Sequence, residues 1–228
     1  MVPDRELPSE AYTAGRWFLV VALTGIEATT LSLWLALVYG AAPFSRPAVV
    51  GVVVLVVGLQ VQHFLTDLAV NGADVGFPLG QTLAVSVTEA ALWTGWFAVG
   101  AALGGLRGVF VAGVAFAISL AVQHAAEVNA LRDRPLTWRL LDPAAVGFSL
   151  LTALGASVWL ALGTPVDGAG PVTSLIANAG IAPATVGAAA LALALLVERT
   201  LVVRTARQRR DETRPVVRYR RGSGVRIR

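Results

Sequence analysis

The chain has 228 residues, 56% hydrophobic and 14% charged, with a formal net charge of +4. A soluble domain of this size needs a charged surface over its core, so this composition argues for a chain dissolved in lipid. With no cysteine, disulfides, thiolate metal sites and cysteine catalysis are excluded, and two histidines, His63 and His124, are too few for a multi-histidine metal site within one chain.

Residues 1–16 are polar and of mixed charge (Asp4, Arg5, Glu6, Glu10, Arg16). They lack the basic start, short apolar core and small-residue end of a secretory signal, so the first apolar run is expected to be a retained helix. Six spans are predicted: Trp17–Tyr39, Ala48–Val70, Thr82–Leu103, Val109–Val128, Ala144–Leu162 and Ile181–Val203. Each holds about 20 residues, enough for a helix to cross a hydrocarbon core of about 30 Å. The runs are continuous, unlike the short alternating segments of a membrane barrel. Breaks are marked by Pro43 and Pro47, by Asn71, Gly72 and Pro78, by Gly104, Gly105 and Gly108, and by the Asp142–Pro143 cap. The segment from Gly163 to Pro183 is longer, and Val172–Ala179 is expected to lie along the membrane surface. The fold class is therefore all-α and polytopic: an N-terminal segment (1–16), a six-helix membrane domain (17–203) and a basic tail (204–228).

Arginine distribution sets the expected orientation, because loops rich in arginine stay in the cytoplasm. Arg132, Arg134 and Arg139 lie between the fourth and fifth spans, and ten arginines from Arg204 to Arg228 follow the sixth. Both termini are thus expected to be cytoplasmic, in a multi-pass protein of the cell membrane. The tail is expected to attract anionic lipid headgroups and to be disordered from Arg207. It has no aromatic interleaving or reader motif, so no nucleic-acid partner is expected; a homo-oligomer is.

Self-similarity runs through the spans. The first unit reads Glu27–Trp34 and later Gln62–His63; the second Glu89–Trp96 and later Gln123–His124; the third Thr152–Trp159 and later Glu198–Arg199. Trp34 and Trp96 are 62 positions apart, Trp96 and Trp159 are 63, and His63 and His124 are 61. This predicts three repeats of a two-helix hairpin, about 17–71, 82–129 and 144–203, in one orientation around a pseudo-threefold axis.

Ionisable residues inside spans are costly, at about 2.5–3.5 kcal/mol each by insertion scales, and normally face the bundle interior with a partner. Glu27 and Glu89 enter from the side of the termini while His63 and His124 descend toward it, so the four are expected in one layer as neutral or proton-sharing Glu–His pairs. Gln60, His63, Asp67 and Asn71 form a stripe on one face of the second span, and His124 and Glu127 share a face of the fourth. Glu198 and Arg199 occupy the corresponding layer of the sixth. Asp67 and Glu127 are read as the solvated cytoplasmic exit of this seam. Structural hydrogen bonding between helices is the alternative for Glu27 and Glu89, polar packing for His63 and His124, and plain solvation at the boundary for Asp67 and Glu127. The tryptophans are read as core packing, and Ala115, Ser119, Gly187 and the alanines to Ala194 as sites of close helix contact.

No P-loop, GxGxxG, HExxH or GxSxG is present. A di-metal carboxylate bundle needs Glu-x-x-His on two helices, and the order here is reversed. The expected function is a small proton- or cation-handling transporter or channel, not an enzyme. In it Glu27, Glu89, Gln62, His63, Gln123, His124, Glu198 and Arg199 act in transport or proton relay, with no cofactor. Two alternatives stand beside it. One is a b-type haem protein with His63 and His124 as axial ligands. The other is a non-catalytic membrane scaffold or subunit whose basic tail is its working end.

Overall fold

The computed structural model describes residues 9–71, 79–130, 134–135, 137 and 143–213. Seven helices follow in chain order: α1 (Ser9–Val38), α2 (Arg46–Asn71), α3 (Leu79–Leu103), α4 (Gly105–Ala130), α5 (Pro143–Gly163), α6 (Gly170–Asn178) and α7 (Pro183–Thr213). Six are long and apolar enough to cross a membrane: every one except α6. Prolines stand in the first turns of α2, α5, α6 and α7, where the missing N–H has no intrahelical partner to lose.

Each spanning helix packs on the next, and α7 packs back on α1, closing a ring. Contacts along the seam between α1 and α7 run in antiparallel register. Arg204 lies 5.9 Å over the Trp17 ring, Val20 packs with Val203, and Glu27 meets Arg199. The outside of the bundle is apolar, unlike that of a soluble protein, and a polar layer is enclosed within. Phe18, Phe110, Ile118 and Leu154 are largely exposed on the outside, while Glu27, His63, Glu89 and Arg199 are buried inside. Only a hydrocarbon surround makes that distribution favourable.

Two turns depend on backbone freedom. Gly104 and Gly105 take φ values of 65° and 58°, turning α3 into α4 within a residue. Gly108 sits so close to the Gly100 carbonyl that an added Cβ would fall 2.6 Å from its oxygen. The Gly100, Gly104 and Gly108 spacing therefore builds a hairpin. Between α5 and α7, a Cβ on Gly155 would press on Ala194, 3.3 Å from Ala190 O and 3.4 Å from Leu191 Cα. Overpacked sites of this kind are destabilised by about 1–3 kcal/mol. Gly155→Val is accordingly expected to lower the detergent melting temperature, and an unchanged value would mean that α5 and α7 slide apart freely.

The small residues divide on inspection. Gly187, Ala190 and Ala194 lie against α5, as expected. Ala115 and Ser119 do not: Ala115 is exposed and Ser119 partly so, on the outer face of α4. They sit on the wrong side of the helix because the inward face of α4 is taken by Ala112, Phe116, Leu120 and His124.

The segment expected along the membrane surface is α6, which buries none of its residues. α7 runs on to Thr213, past Arg207, where disorder is expected from sequence. Residues Gly72, Pro78, Arg132, Trp138, Arg139, Asp142 and 214–228 lie outside the described residues.

Candidate functional site

All six spanning helices send a polar side chain to one buried layer. Glu27 comes from α1, His63 from α2, Glu89 from α3, His124 and Glu127 from α4, Ser149 and Thr152 from α5, and Glu198 and Arg199 from α7. Glu89 stands ten residues into α3, about 15 Å along its axis at 1.5 Å per residue. The layer thus lies well within the length of the spanning helices, in the half of the bundle nearer the start of α1 and the end of α7.

Arg199 is the hub. It is fully buried, and its Nε and Nη2 donate to Glu27 Oε2 and Oε1 at 2.8 and 3.0 Å. This two-pronged geometry matches the guanidinium fork to a carboxylate. Its Nη1 donates to Glu127 Oε1 at 3.0 Å and lies 3.3 Å from Glu198 Oε1. Three carboxyl groups from three helices are therefore gathered on one cation.

The histidines complete the layer in a common manner. Ser86 Oγ donates to Thr82 O at 2.8 Å or to Gln60 Oε1 at 3.0 Å, and Ser149 Oγ donates to Ala145 O at 2.7 Å. With each hydroxyl proton so committed, His63 Nδ1 donates to Ser86 Oγ at 2.9 Å and His124 Nδ1 to Ser149 Oγ at 3.0 Å. The other ring nitrogens face carboxyl groups. His63 Nε2 lies 3.3 Å from Glu89 Oε2 and 3.6 Å from Glu127 Oε1, and His124 Nε2 lies 3.6 Å from Glu198 Oε1. Each such approach is attractive only with a proton between nitrogen and oxygen, on either partner.

A second set of hydrogen bonds runs within pairs of consecutive spans. Gln123 Nε2 donates to Glu89 Oε2 at 3.2 Å between α4 and α3. Thr152 Oγ1 donates to Glu198 Oε2 at 2.7 Å between α5 and α7. In the first pair the acid is on the earlier helix, in the second on the later one.

The structure thus brings together Glu27, Glu89, His63, Gln123, His124, Glu198 and Arg199 from the sequence reading. Glu27 pairs with arginine, where a histidine partner was expected. Glu127, read as a solvated exit residue, is 1% exposed and bonded to Arg199, because the guanidinium offers it a buried partner. Asp67 is 4% exposed and so is also enclosed. Gln62 is buried but donates to Thr66 Oγ1 at 3.3 Å and makes no bond to the layer among the described residues. Ser86 and Ser149 were overlooked; each lies three residues before a residue already singled out, Glu89 or Thr152, on the same helical face.

One to two turns beyond this layer, away from the start of α1 and the end of α7, stands an aromatic one. Trp34 meets Trp93 and Phe97 edge-on, Phe116 meets Trp93 edge-on, and Trp96 stacks on Phe116 at 5.4 Å. Trp34, Trp93 and Trp96 are almost wholly buried, which bears out core packing for them. Beyond it a cavity of about 250 Å³ opens, lined by Tyr39, Phe97, Gly100, Leu160, Thr164 and Asp167 among others. Phe97 belongs to both, so the aromatic layer is the floor of the cavity.

Fold and site together define a polytopic helical membrane protein with a charged layer sealed inside its bundle. No family model matches the chain, and neither a curated protein nor a solved structure is detectably similar to it. Among the described residues, no group of three or more histidine, cysteine, aspartate or glutamate side chains has a geometry suited to a metal ion.

Proposed function

We propose that the protein is a small membrane transporter or channel that handles protons, or a small cation in exchange for them, through this buried layer. One observation carries the reading: four carboxyl groups face one guanidinium and two imidazoles, all sealed from solvent. With both imidazoles protonated one carboxyl is in excess; with both neutral, three are. An uncompensated ion in such surroundings costs several kcal/mol, so the layer favours taking up protons or a cation. Glu89 is the proposed exchanging group, because its neighbours are an amide and an imidazole, whereas Glu27 is held by Arg199. His63 passes the proton between Glu89 and Glu127. The aromatic layer is then the closed barrier toward the outer cavity.

The repeat reading is supported by the pattern of contacts. His63 of the first unit bonds Ser86 of the second, His124 of the second bonds Ser149 of the third, and Arg199 of the third bonds Glu27 of the first. Glu89 with Gln123 and Thr152 with Glu198 are then one bond with acid and neutral partner exchanged. Thr152→Glu alone adds a carboxyl group and is expected to destabilise the bundle. The double variant Thr152→Glu/Glu198→Gln, which copies the second unit, is expected to regain stability, with a coupling of about 1–3 kcal/mol in a double-mutant cycle. Additive effects would count against the equivalence. Arginine placement continues to support cytoplasmic termini, with the tail at the anionic membrane surface.

The direct test is purified protein in liposomes with an internal pH-sensitive dye. An imposed pH gradient should collapse faster than in empty liposomes, and adding sodium or potassium to one side separates exchange from simple conduction. Equal rates with and without protein would overturn the proposal. The imidazoles aim their Nε2 atoms at glutamates, an arrangement that supports proton sharing over axial ligation of a haem iron. A visible spectrum of the purified protein checks this: no Soret band is expected, and one lost in His63→Ala would favour the redox alternative.

A further inference from the structure

The cavity beyond the aromatic layer is built from helix ends. Gly100 and Ala101 come from the end of α3, Leu160 and Thr164 from the end of α5, and Tyr39 directly follows α1. Each helix C-terminus carries the equivalent of about half an elementary negative charge. One helix start opposes these three ends, that of α4 at Gly105. There the Leu106 and Gly108 N–H groups are already taken, by Asp167 O at 3.0 Å and Gly104 O at 2.9 Å. Asp167 is the one charged residue that lines the cavity, and it forms no ion pair among the described residues. Its backbone bond to Leu106 pins it over Gly105, where an added Cβ would come 3.7 Å from the Asp167 Cβ. Arg46 and Arg107, at the same end of the bundle, are exposed and do not line the cavity. The Thr164 hydroxyl is committed, donating to Leu160 O at 2.8 Å. The remaining wall is aromatic or apolar, with Phe97, Val109, Pro165 and Val166 beside the half-exposed Tyr39 ring.

We infer that this cavity binds a small organic cation, an ammonium head with short apolar substituents, with Asp167 as its countercharge and Phe97 and Tyr39 as its aromatic faces. Three constraints select this class. Three helix ends and one carboxylate, with no cationic residue lining the space, favour positive charge. A single carboxylate balances one charge and not two. The walls between these groups are aromatic and apolar, which suits a weakly hydrated alkylammonium drawn to ring faces and disfavours an ion that keeps its water shell. The size agrees: about 250 Å³ admits an ammonium group with a few carbons, while larger ligands occupy pockets of about 300–1,000 Å³. The site stands without the proton reading, because its test reads binding and not flux.

The experiment uses the full chain in a maltoside detergent, which carries no ammonium group, with choline as the probe and saturation-transfer NMR of its trimethyl resonance as the readout. Saturable binding is expected. Asp167→Asn keeps the backbone carbonyl that holds Leu106 and removes only the charge, so the fold should be retained. Its affinity should fall at least about tenfold, the effect of about 1.4 kcal/mol in binding. Asp167→Glu should restore it, and Phe97→Leu, which keeps an apolar side chain and removes the ring, should weaken it. Tetramethylammonium should displace choline, whereas 3,3-dimethyl-1-butanol, the uncharged isostere of choline, should not. Short-chain phosphatidylcholine added to the same sample separates the two sources of such a head: displacement by it below the concentration of choline itself marks a lipid headgroup, and displacement only above it marks a soluble amine. No saturable binding, binding unchanged in Asp167→Asn, or displacement by sodium as effective as by tetramethylammonium would each overturn the inference. If Phe97→Leu fails to fold, the two Asp167 variants and the uncharged isostere still decide the matter.

Discussion

Liposomes carrying Glu89→Gln are expected to lose proton flux by about two orders of magnitude, the lower end of what a positioned proton-transfer group contributes. The substitution is nearly isosteric. Its amide oxygen still accepts the Gln123 hydrogen bond that the carboxylate receives at 3.2 Å. What it loses is the ability to take and release a proton opposite His63 Nε2, 3.3 Å away. The bundle should therefore remain intact, with a melting temperature close to that of the wild type. Flux and fold must be read together. Flux lost with the fold retained supports Glu89 as the exchanging group. Unchanged flux removes it from that role, and loss of both makes it a structural residue. Glu27→Gln is the informative contrast. Its carboxylate accepts two hydrogen bonds from Arg199, so the same change there should disturb the fold first.

Arg199→Met should have the largest effect on stability. The guanidinium is fully buried, donates to Glu27 and Glu127, and lies 3.3 Å from Glu198. Removing one partner of a buried ion pair costs about 3–5 kcal/mol, because the remaining charges are left without compensation. Here three carboxyl groups lose their shared cation, so the upper end of that range is expected. The measurement is the yield of monodisperse protein in detergent and its melting temperature. Combining Arg199→Met with Glu27→Gln should recover part of the loss, since the two side chains are directly coupled. Arg199→Lys should fall between, because an ammonium group cannot fork onto one carboxylate while also reaching another. A stable Arg199→Met would show that the α1–α7 seam holds without this hub.

The two variants separate the roles that the layer combines. Arg199 and Glu27 close the ring, joining the last span to the first. Glu89 and Glu127 each approach His63 Nε2, at 3.3 and 3.6 Å, without a fork of that kind fixing Glu89. Residues that hold and residues that exchange are thus expected to differ in which assay they fail.

Hydrophobic run length was sufficient to find the six spans, because a helix in hydrocarbon must be about 20 residues long and apolar throughout. The same logic made Glu27, His63, Glu89, His124, Glu198 and Arg199 visible, since an ionisable residue stands out against such a background. Helical periodicity also assigned depth and face along each helix, which was enough to expect one shared polar layer. Partner choice was decided elsewhere. Glu27 and Arg199 are 172 positions apart, and only the closure of α7 on α1 brings them together. That closure also draws Glu127 inward from its apparent place at the membrane boundary. Ser86 and Ser149 became partners through the rotation of α3 and α5 about their own axes, and Ser119 fell on the outer face through the rotation of α4. Periodicity specifies what shares a face within one helix; the packing of neighbouring helices specifies what each face meets.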